Sequence, residues 1–212
     1  MTPFPVILAS ASPRRREFLQ RLGIPFQVLA ADIEERNGRD EMPDALVARL
    51  SLEKALAVAA RHPHAVVIGA DTIVTLDQEL LGKPADRDEA ASMLRRLRDC
   101  AHVVYSGVTV CPPDGGEPLT SVVGSTVWMR AYTDDEIDAY VASGDPMDKA
   151  GAYAIQNAHF HPVARMEGCY ASVMGLPLCE LGELLRRSSV ALPLDVPAAC
   201  SALTGVPCCC GV

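Results

Sequence analysis

The chain has 212 residues, 49% of them hydrophobic and 22% charged, and a formal net charge of −8 at pH 7. This composition is typical of a globular protein, and the negative charge argues against nucleic acid or an anionic membrane as a partner, because both need a basic face. The first five residues carry no basic segment and no apolar run approaches the ~18–20 residues that span a bilayer, so we expect a cytoplasmic location.

Short β-branched runs alternate with amphipathic helical patterns along the chain, which predicts an α/β fold. The predicted strands are 6–9, 26–30, 65–70 continuing into 72–76, 103–111, 119–130 and 160–166. The predicted helices are 14–22, 44–60, 86–98, 134–142 and 178–187, with capping boxes at Asp86…Glu89 and Thr133…Glu136. Because PPDGG separates 103–111 from 119–130, these strands form an antiparallel hairpin, and we expect a mixed sheet.

The first predicted helix begins with an unusual charge distribution. Ser12 can cap the helix and Pro13 suits its first position, since proline has no N–H to leave unpaired. Three arginines, 14–16, then fill the first turn, where the helix dipole penalises each cation by roughly 0.3–1 kcal/mol. An anion bound at this helix start would remove the conflict.

Asp71 ends the apolar run VVIGA, and two interpretations are open for it. A carboxylate at the end of a buried strand is poorly solvated unless cations pair with it, so it can serve as a base or metal ligand. Alternatively, Asp71 starts a turn or caps neighbouring amides.

Two lysines have the same pair of interpretations, solvated surface charge or phosphate contact. Lys83 stands between Gly82 and Pro84, which resembles a P-loop only superficially because the required Ser or Thr is missing. A short rigid loop can nevertheless aim an ammonium group at phosphate. Lys54 lies on a helix whose other face is rich in leucine.

Three neighbouring carboxylates, Asp32, Glu34 and Glu35, follow the second predicted strand. They repel one another unless they are solvated or bind a hard cation such as Mg²⁺, which takes oxygen ligands and substrate phosphates. The loop 144–156 is dense in glycine, charge and amide, a pattern shared by functional and ordinary loops.

Eight cysteines are present, none in the paired CxxC spacing of zinc sites. Cys100, Cys111, Cys169 and Cys179 are scattered, and we expect ordinary buried thiols there. The other four, Cys200 and 208–210, lie in a segment, 191–212, that has little helical or strand periodicity. We expect this tail to be flexible, and metal or redox chemistry is not favoured there.

A series of short motifs between about residues 4 and 187 resembles the Maf family of nucleoside triphosphate pyrophosphatases, historically called septum-formation inhibitors. The motifs, in the family's order, are LASASPRR at 8–15, EE at 34–35, EKA at 53–55, GADT at 69–72, GKP at 82–84, SG at 106–107, DKAGAYAIQ at 148–156 and GLPL at 175–178. Ser172 departs from the pattern, since many members have Asn there, and the cysteine-rich tail lies outside it.

The resemblance implies a fold and an activity. The fold would be a mixed twisted sheet flanked by helices with a deep central cleft, related to that of the inosine triphosphate pyrophosphatases. Residues 1–190 would then form a single catalytic domain with two lobes around the cleft. Family members cleave a nucleoside triphosphate between its α- and β-phosphates with a divalent metal, Mg²⁺ or Mn²⁺, and are often dimers, so a homodimer is expected.

By the same resemblance, each site residue acquires a role. Asp71 is implied as the general base on water and Glu35 as a metal-associated carboxylate. The implied phosphate-binding residues are Ser10, Arg15, Lys54 and Lys83.

Three positions mark the family's dTTP/UTP branch, and here they are Arg14, Thr72 and Gln156. The implied activity is hydrolysis of dTTP, UTP and related pyrimidine nucleotides, as housecleaning of nucleotide pools, with a link to cell-division arrest. Two alternatives stay open: a member with another substrate range, such as 7-methyl-GTP or a broad one, and a non-catalytic regulator of cell division.

Overall fold

A computed structural model describes residues 4–33 and 41–210, and within them seven strands form one mixed sheet. The strands are β1 Val6–Leu8, β2 Gln27–Val28, β3 Val66–Leu76, β4 Glu79–Leu81, β5 Ala101–Cys111, β6 Leu119–Met129 and β7 Val163–Glu167. The helices are α1 Pro13–Arg21, α2 Pro43–Ala59, α3 Arg87–Leu97, α4 Asp134–Ala142, α5 Tyr170–Met174, α6 Leu178–Arg187 and α7 Val196–Thr204. Short 3₁₀ helices span Asp145–Asp148 and Ala150–Ala152.

This architecture confirms the predicted α/β fold with a mixed sheet. The order is β2-β1-β3-β5-β6-β7, with β4 beside β3; β1 runs parallel to β2 and β3, and the remaining pairs are antiparallel. The predicted hairpin is the β5–β6 pair. Three elements were missed, β4, α5 and α7, because the first two are short and the third is a run of small and apolar residues without a polar face.

One edge of β3 changes partner along its length. It pairs with β1 over Val66–Ile68 and with β4 over Val74–Leu76, whereas β5 follows the other edge throughout. Between these two pairings, residues 69–73 have no strand beside that edge within the described part of the chain. This interval contains Asp71 and Thr72, so the sheet opens where the predicted site residues lie.

Helix α2 lies directly on the sheet because two glycines leave room for its backbone. A Cβ atom at Gly69 would lie 2.2 Å from the carbonyl oxygen of Ser51, and one at Gly107 would lie 2.5 Å from that of Val47. The hydroxyls of Ser51 and Thr109 are 2.9 Å apart and join α2 to β5. This close packing brings the polar residues of α2 within reach of β3.

Local capping explains two of the helix starts that the sequence predicted. Ser12 Oγ accepts from the N–H of Arg15 (3.4 Å), and Pro13 is the first residue of α1. The capping box at Thr133 and Glu136 is complete at the start of α4. At α3 only half of the predicted box forms, since the Glu89 carboxylate accepts from the N–H of Ala85 rather than from that of Asp86.

Apolar side chains of the described residues pack on both faces of the sheet. One cluster joins α1, α6 and α7 to β1 and β3, a second lies under α3 and α4, and a third lies under α2. The first cluster includes Val196, Cys200 and Cys208, so the segment that was expected to be a flexible tail carries helix α7 and contributes to the core. None of the described helices is both long and apolar enough to cross a membrane.

Candidate functional site

A cleft of about 410 Å³ opens at the interrupted edge of β3. Its walls come from the β1–α1 turn, α2, β3 and the loops around residues 83, 148–156 and 173–175. The predicted site residues that line it are Ser10, Arg14, Arg15, Lys54, Thr72, Lys83 and Gln156. Asp71 contacts one of these side chains, and Glu35 lies outside the described residues.

Lys54 and Asp71 form a buried ion pair between α2 and β3. The Lys54 ammonium donates to Asp71 Oδ1, and the two side chains are 11% and 9% exposed. Because a buried charge is costly to desolvate unless an opposite charge accompanies it, each residue makes the burial of the other tolerable. The pair places a carboxylate and an ammonium group together beside the cleft.

Strand alternation sends Asp71 and Thr72 to opposite faces of the sheet. Asp71 shares the α2 face with Gly69, which explains why it meets Lys54. Thr72 lies on the other face, where its hydroxyl accepts from Arg15 Nη2 (3.1 Å). Side chains from both faces of the sheet therefore meet at the interrupted edge of β3, beside the cleft.

The side chain of Arg15 binds the part of the β3 edge that has no strand beside it. Its Nη1 donates to the carbonyl oxygen of Ala70 (2.7 Å) and its Nε donates to that of Gly175 (2.9 Å). Nη1 also lies 3.4 Å from Ser10 Oγ. The guanidinium group has several donors in one plane, so it can bind several acceptors at once. The carbonyl groups that it binds, including that of Ala70 in β3, therefore account for an arginine at the start of α1, in addition to any anion in the cleft.

Buried hydroxyls continue from Thr72 towards α5. Thr72 Oγ1 lies 2.8 Å from Ser106 Oγ, which donates to the carbonyl oxygen of Ser172 (2.7 Å). Since the single proton of Ser106 is used in that bond, Thr72 is the donor to Ser106. Ser172 Oγ donates to the Cys169 carbonyl (2.8 Å), so the serine that departs from the family pattern is fully engaged.

The loop after α4 is held by Lys149. Its ammonium donates to the Asp145 carbonyl, to Asp145 Oδ1 (2.9 Å) and to Asp148 Oδ1 (2.6 Å), which matches its three N–H donors. Arg14 Nη1 reaches the other oxygen of Asp148 at 3.5 Å. Arg14 is therefore tied to this loop, which carries the DKAGAYAIQ motif.

The carboxylates of this loop titrate below their ordinary range. Burial raises the pKa of Asp145, but hydrogen bonds from Tyr140 and Lys149 outweigh it, so the net pKa is lowered. For Asp148, burial again raises the pKa. The hydrogen bond from Lys149 and the charges of Lys149 and Arg14 outweigh this effect, so the net pKa is lowered. Both groups are therefore held as carboxylates.

Lys83 reaches the cleft from the loop that follows β4. The N–H of Gly151 donates to the carbonyl oxygen of Gly82 (3.0 Å), which ties the two loops together. Gly151 has φ of 70° and a Cβ there would lie 3.1 Å from Val74, so this close approach favours glycine. Lys83 itself is exposed and makes no ion pair with any residue in 4–33 or 41–210.

Tyr153 completes the wall and was not singled out from the sequence. Its hydroxyl lies 2.8 Å from Nε2 of His102, a buried histidine of β5. Burial lowers the pKa of His102 to about 4, so the imidazole is neutral at pH 7. Lys149 and Tyr153 were quoted only as part of a motif, and their roles depend on loop geometry that no local pattern shows.

Comparison with known proteins places these features in a family. The family model described as Maf-like protein matches residues 5–188. A dTTP/UTP pyrophosphatase of Myxococcus xanthus is 50% identical over 188 residues, which cover 89% of this chain and 94% of the relative. Relatives with the same name from Nitratidesulfovibrio vulgaris (48% over 197 residues; 92% and 93%) and Dictyoglomus turgidum (47% over 188 residues; 88% and 97%) are similarly close. The chain therefore belongs to the Maf-like protein family.

Proposed function

We propose that the chain is a nucleoside triphosphate pyrophosphatase that hydrolyses dTTP and UTP to the monophosphate and pyrophosphate. The observation that carries this proposal is the buried Lys54–Asp71 pair beside a cleft that is also lined by Arg14, Arg15 and Lys83. On a chain with a net charge of −8, such a concentration of cations provides a local site for a polyanion. The names of the close relatives support the same substrates.

The proposed chemistry adds one water across the bond between the α- and β-phosphates. Asp71 accepts a proton from that water, and Lys54, which donates to Asp71, keeps the carboxylate oriented and offers positive charge to the phosphates. Lys83 provides a second ammonium group from the opposite loop. Cations fixed before the reaction stabilise the negative charge that develops on the leaving pyrophosphate.

Arg15 has a different part in this proposal. Its hydrogen bonds to Ala70, Thr72 and Gly175 fix the strand edge that presents Asp71. We propose that it orders this edge and adds positive charge to the phosphate region. Ser10, 8% exposed and within 3.4 Å of Arg15, belongs to the same region.

A divalent cation, Mg²⁺ or Mn²⁺, is the proposed cofactor. Such a hard ion is commonly held by one or two carboxylates together with substrate phosphates, so a complete cage of protein ligands is not required. Glu35 is the carboxylate proposed to associate with the ion, and Asp71, a carboxylate beside the cleft, keeps its role as the proposed base. When bound, the ion neutralises part of the phosphate charge.

Pyrimidine selectivity is proposed to come from Gln156. This residue is exposed on the cleft wall, and its amide offers both a donor and an acceptor to the O4 and N3–H edge of thymine or uracil. Thr72 is a less direct marker, because its proton is donated to Ser106 and its oxygen accepts from Arg15. It contributes by holding Arg15 in place.

The test compares pyrophosphate release from dTTP, UTP, CTP, ATP and 7-methyl-GTP, with and without Mg²⁺. We expect dTTP and UTP to be the best substrates and turnover to require the metal. A preference for 7-methyl-GTP would contradict the assigned substrates.

Asp71→Asn tests the proposed base within the same assay. The substitution keeps the shape of the side chain, and we expect turnover to fall by about 10²–10⁴-fold. Asp138→Asn is the matched control, because it makes the same change at a side chain on α4 that is 70% exposed. Near wild-type turnover of a folded Asp71→Asn variant would refute the role of Asp71.

A further inference from the structure

Three thiols from distant parts of the sequence meet on the side of the fold that α6 and α7 form. The sulfur atoms of Cys179, Cys208 and Cys210 all lie within 4.8 Å of one another. The Sγ atoms of Cys179 and Cys208 are 3.2 Å apart. Among the described residues, no other group of three or more histidine, cysteine or carboxylate side chains is gathered in this way.

The fold of the tail produces this convergence. Helix α7 packs against α6 and ends at Thr204, and the next residue, Gly205, turns the chain back with a φ of 72°. The N–H of Cys208 then donates to Ser201 Oγ (2.9 Å), which fixes the returning segment against α7. Cys179 lies in the first turn of α6, so the end of the described chain is brought to the start of that helix.

A fourth thiol lies next to these three. Cys200, on α7, is buried, and its side chain interacts with that of Cys208. Cys209 in turn interacts with Cys169, the residue that caps the start of α5. The cluster therefore offers three adjacent sulfur ligands, and a fourth thiol lies beside Cys208.

These distances match the requirements of a metal–thiolate site. A tetrahedral zinc ion with Zn–S bonds of ~2.3 Å needs sulfur atoms roughly 3.8 Å apart. Thiolates are also the ligands that thiophilic cations select over the carboxylate and carbonyl oxygens preferred by Mg²⁺. The thiol cluster therefore suits a thiophilic cation, whereas the cleft suits a hard cation such as Mg²⁺.

We propose that Cys179, Cys208 and Cys210 bind a thiophilic metal ion such as Zn²⁺. The bound ion fastens residues 206–210 to the start of α6. Most of this site lies beyond residues 5–188, the part that matches the family, so it is an addition to the family fold. Its spacing, CxC in the tail with Cys179 as a distant partner, also explains why no CxxC pattern marks it in the sequence.

The test measures metal retained by the untagged full-length chain. Protein kept reduced with a phosphine is loaded with Zn²⁺, desalted and analysed by elemental mass spectrometry. We expect about one zinc per chain, the stoichiometry of a single structural site. Cys179→Ser, Cys208→Ser and Cys210→Ser should each lose most of it, whereas Cys100→Ser, the matched control at an exposed thiol outside the cluster, should retain it.

Two further measurements keep the result independent of variant folding. Co²⁺ bound to the wild-type chain should show sulfur-to-cobalt charge-transfer absorption, and Zn²⁺ should protect the three thiols from alkylation, mapped by peptide mass spectrometry. Lack of zinc retention by the reduced wild-type chain would overturn the proposal, as would retention that the three folded variants share with the control. Formation of only a Cys179–Cys208 disulfide on oxidation, with no metal held after reduction, would also overturn it.

Discussion

Two lysines line the cleft with almost equal burial, yet their surroundings differ. The Lys54 side chain is 11% exposed and the Lys149 side chain is 9% exposed. Lys54 donates to Asp71, so its bond joins α2 to β3. Lys149 donates to three oxygen atoms of Asp145 and Asp148 in its own loop.

The comparison shows that burial alone does not identify a catalytic lysine. The three donors of Lys149 are satisfied by neighbours in sequence, and two carboxylates cancel its charge locally, which suits a residue that shapes a loop. Lys54 donates instead to a carboxylate carried by the sheet, in the part of the cleft where phosphate is proposed to bind. The predictions that follow separate a catalytic lysine from a structural one.

Replacing Lys54 should give the largest effect. In Lys54→Gln the ammonium group is lost, and a neutral amide stands beside Asp71 in place of the cation. We expect kcat/KM for dTTP to fall by about 10²–10³-fold, the scale for losing one preorganised group that stabilises developing charge. Steady-state pyrophosphate release measures this.

Lys149→Gln is the companion variant for that measurement. If the two lysines have the different roles assigned here, its kcat/KM should fall much less than that of Lys54→Gln, provided that both are assayed well below their melting temperatures. Equal losses of kcat/KM in the two folded variants would contradict the different roles of the two lysines.

Lys149→Gln should also reduce the stability of the fold clearly. Removing the ammonium leaves Asp145 and Asp148 facing each other without a shared cation. Breaking a fully buried pair costs roughly 3–5 kcal/mol, but the Asp148 side chain is 60% exposed, so we expect a loss of about 2 kcal/mol in the free energy of unfolding. Urea denaturation measures it, and an unchanged unfolding midpoint would contradict the structural role.

The contrast between these lysines also shows how far sequence reasoning reaches. Every described strand except β4, the longer helices and the cap at Ser12 depend on local patterns, so the sequence predicted them. The motifs that resemble the family also identified the residues that line the cleft. The Lys54–Asp71 contact depends instead on the packing of α2 over Gly69, and no local pattern contains that information.

The same reason explains what was missed. Lys149 finds its three acceptors only because two short 3₁₀ helices and a left-handed Gly151 fold the loop around it. Helix α7 has no polar and apolar periodicity, so the tail was expected to be flexible. The thiol cluster becomes visible only when that helix returns the chain to Cys179.

Acid should weaken the Lys149 loop by a smaller amount. The folded pKa values of Asp145 and Asp148 lie below the ordinary value of 3.8. Their contribution to stability is therefore present above about pH 4 and is lost as the pH falls through the folded pKa values, because the unfolded chain binds the protons first. The free energy of unfolding of the wild type should therefore decline as the pH falls below about 4.

The Lys149→Gln variant is again the control for this decline. Without the ammonium, the pKa values of both carboxylates move back towards or above the ordinary value, so the loss of stability on acidification should be shallower than in the wild type. Parallel pH profiles for the two proteins would show that the acid sensitivity arises elsewhere.

Arg14→Ala should have the smallest effect on stability. Arg14 reaches Asp148 at 3.5 Å, and the two side chains are 27% and 60% exposed, so their pairing is worth less than about 0.5 kcal/mol. Asp148 retains its shorter bond from Lys149, and the loop should therefore keep its shape. The variant isolates the interaction of Arg14 with substrate. A KM increase shared by all triphosphates would show a phosphate contact, whereas a change in the ratio of kcat/KM between dTTP and ATP would show that Arg14 contributes to base selection.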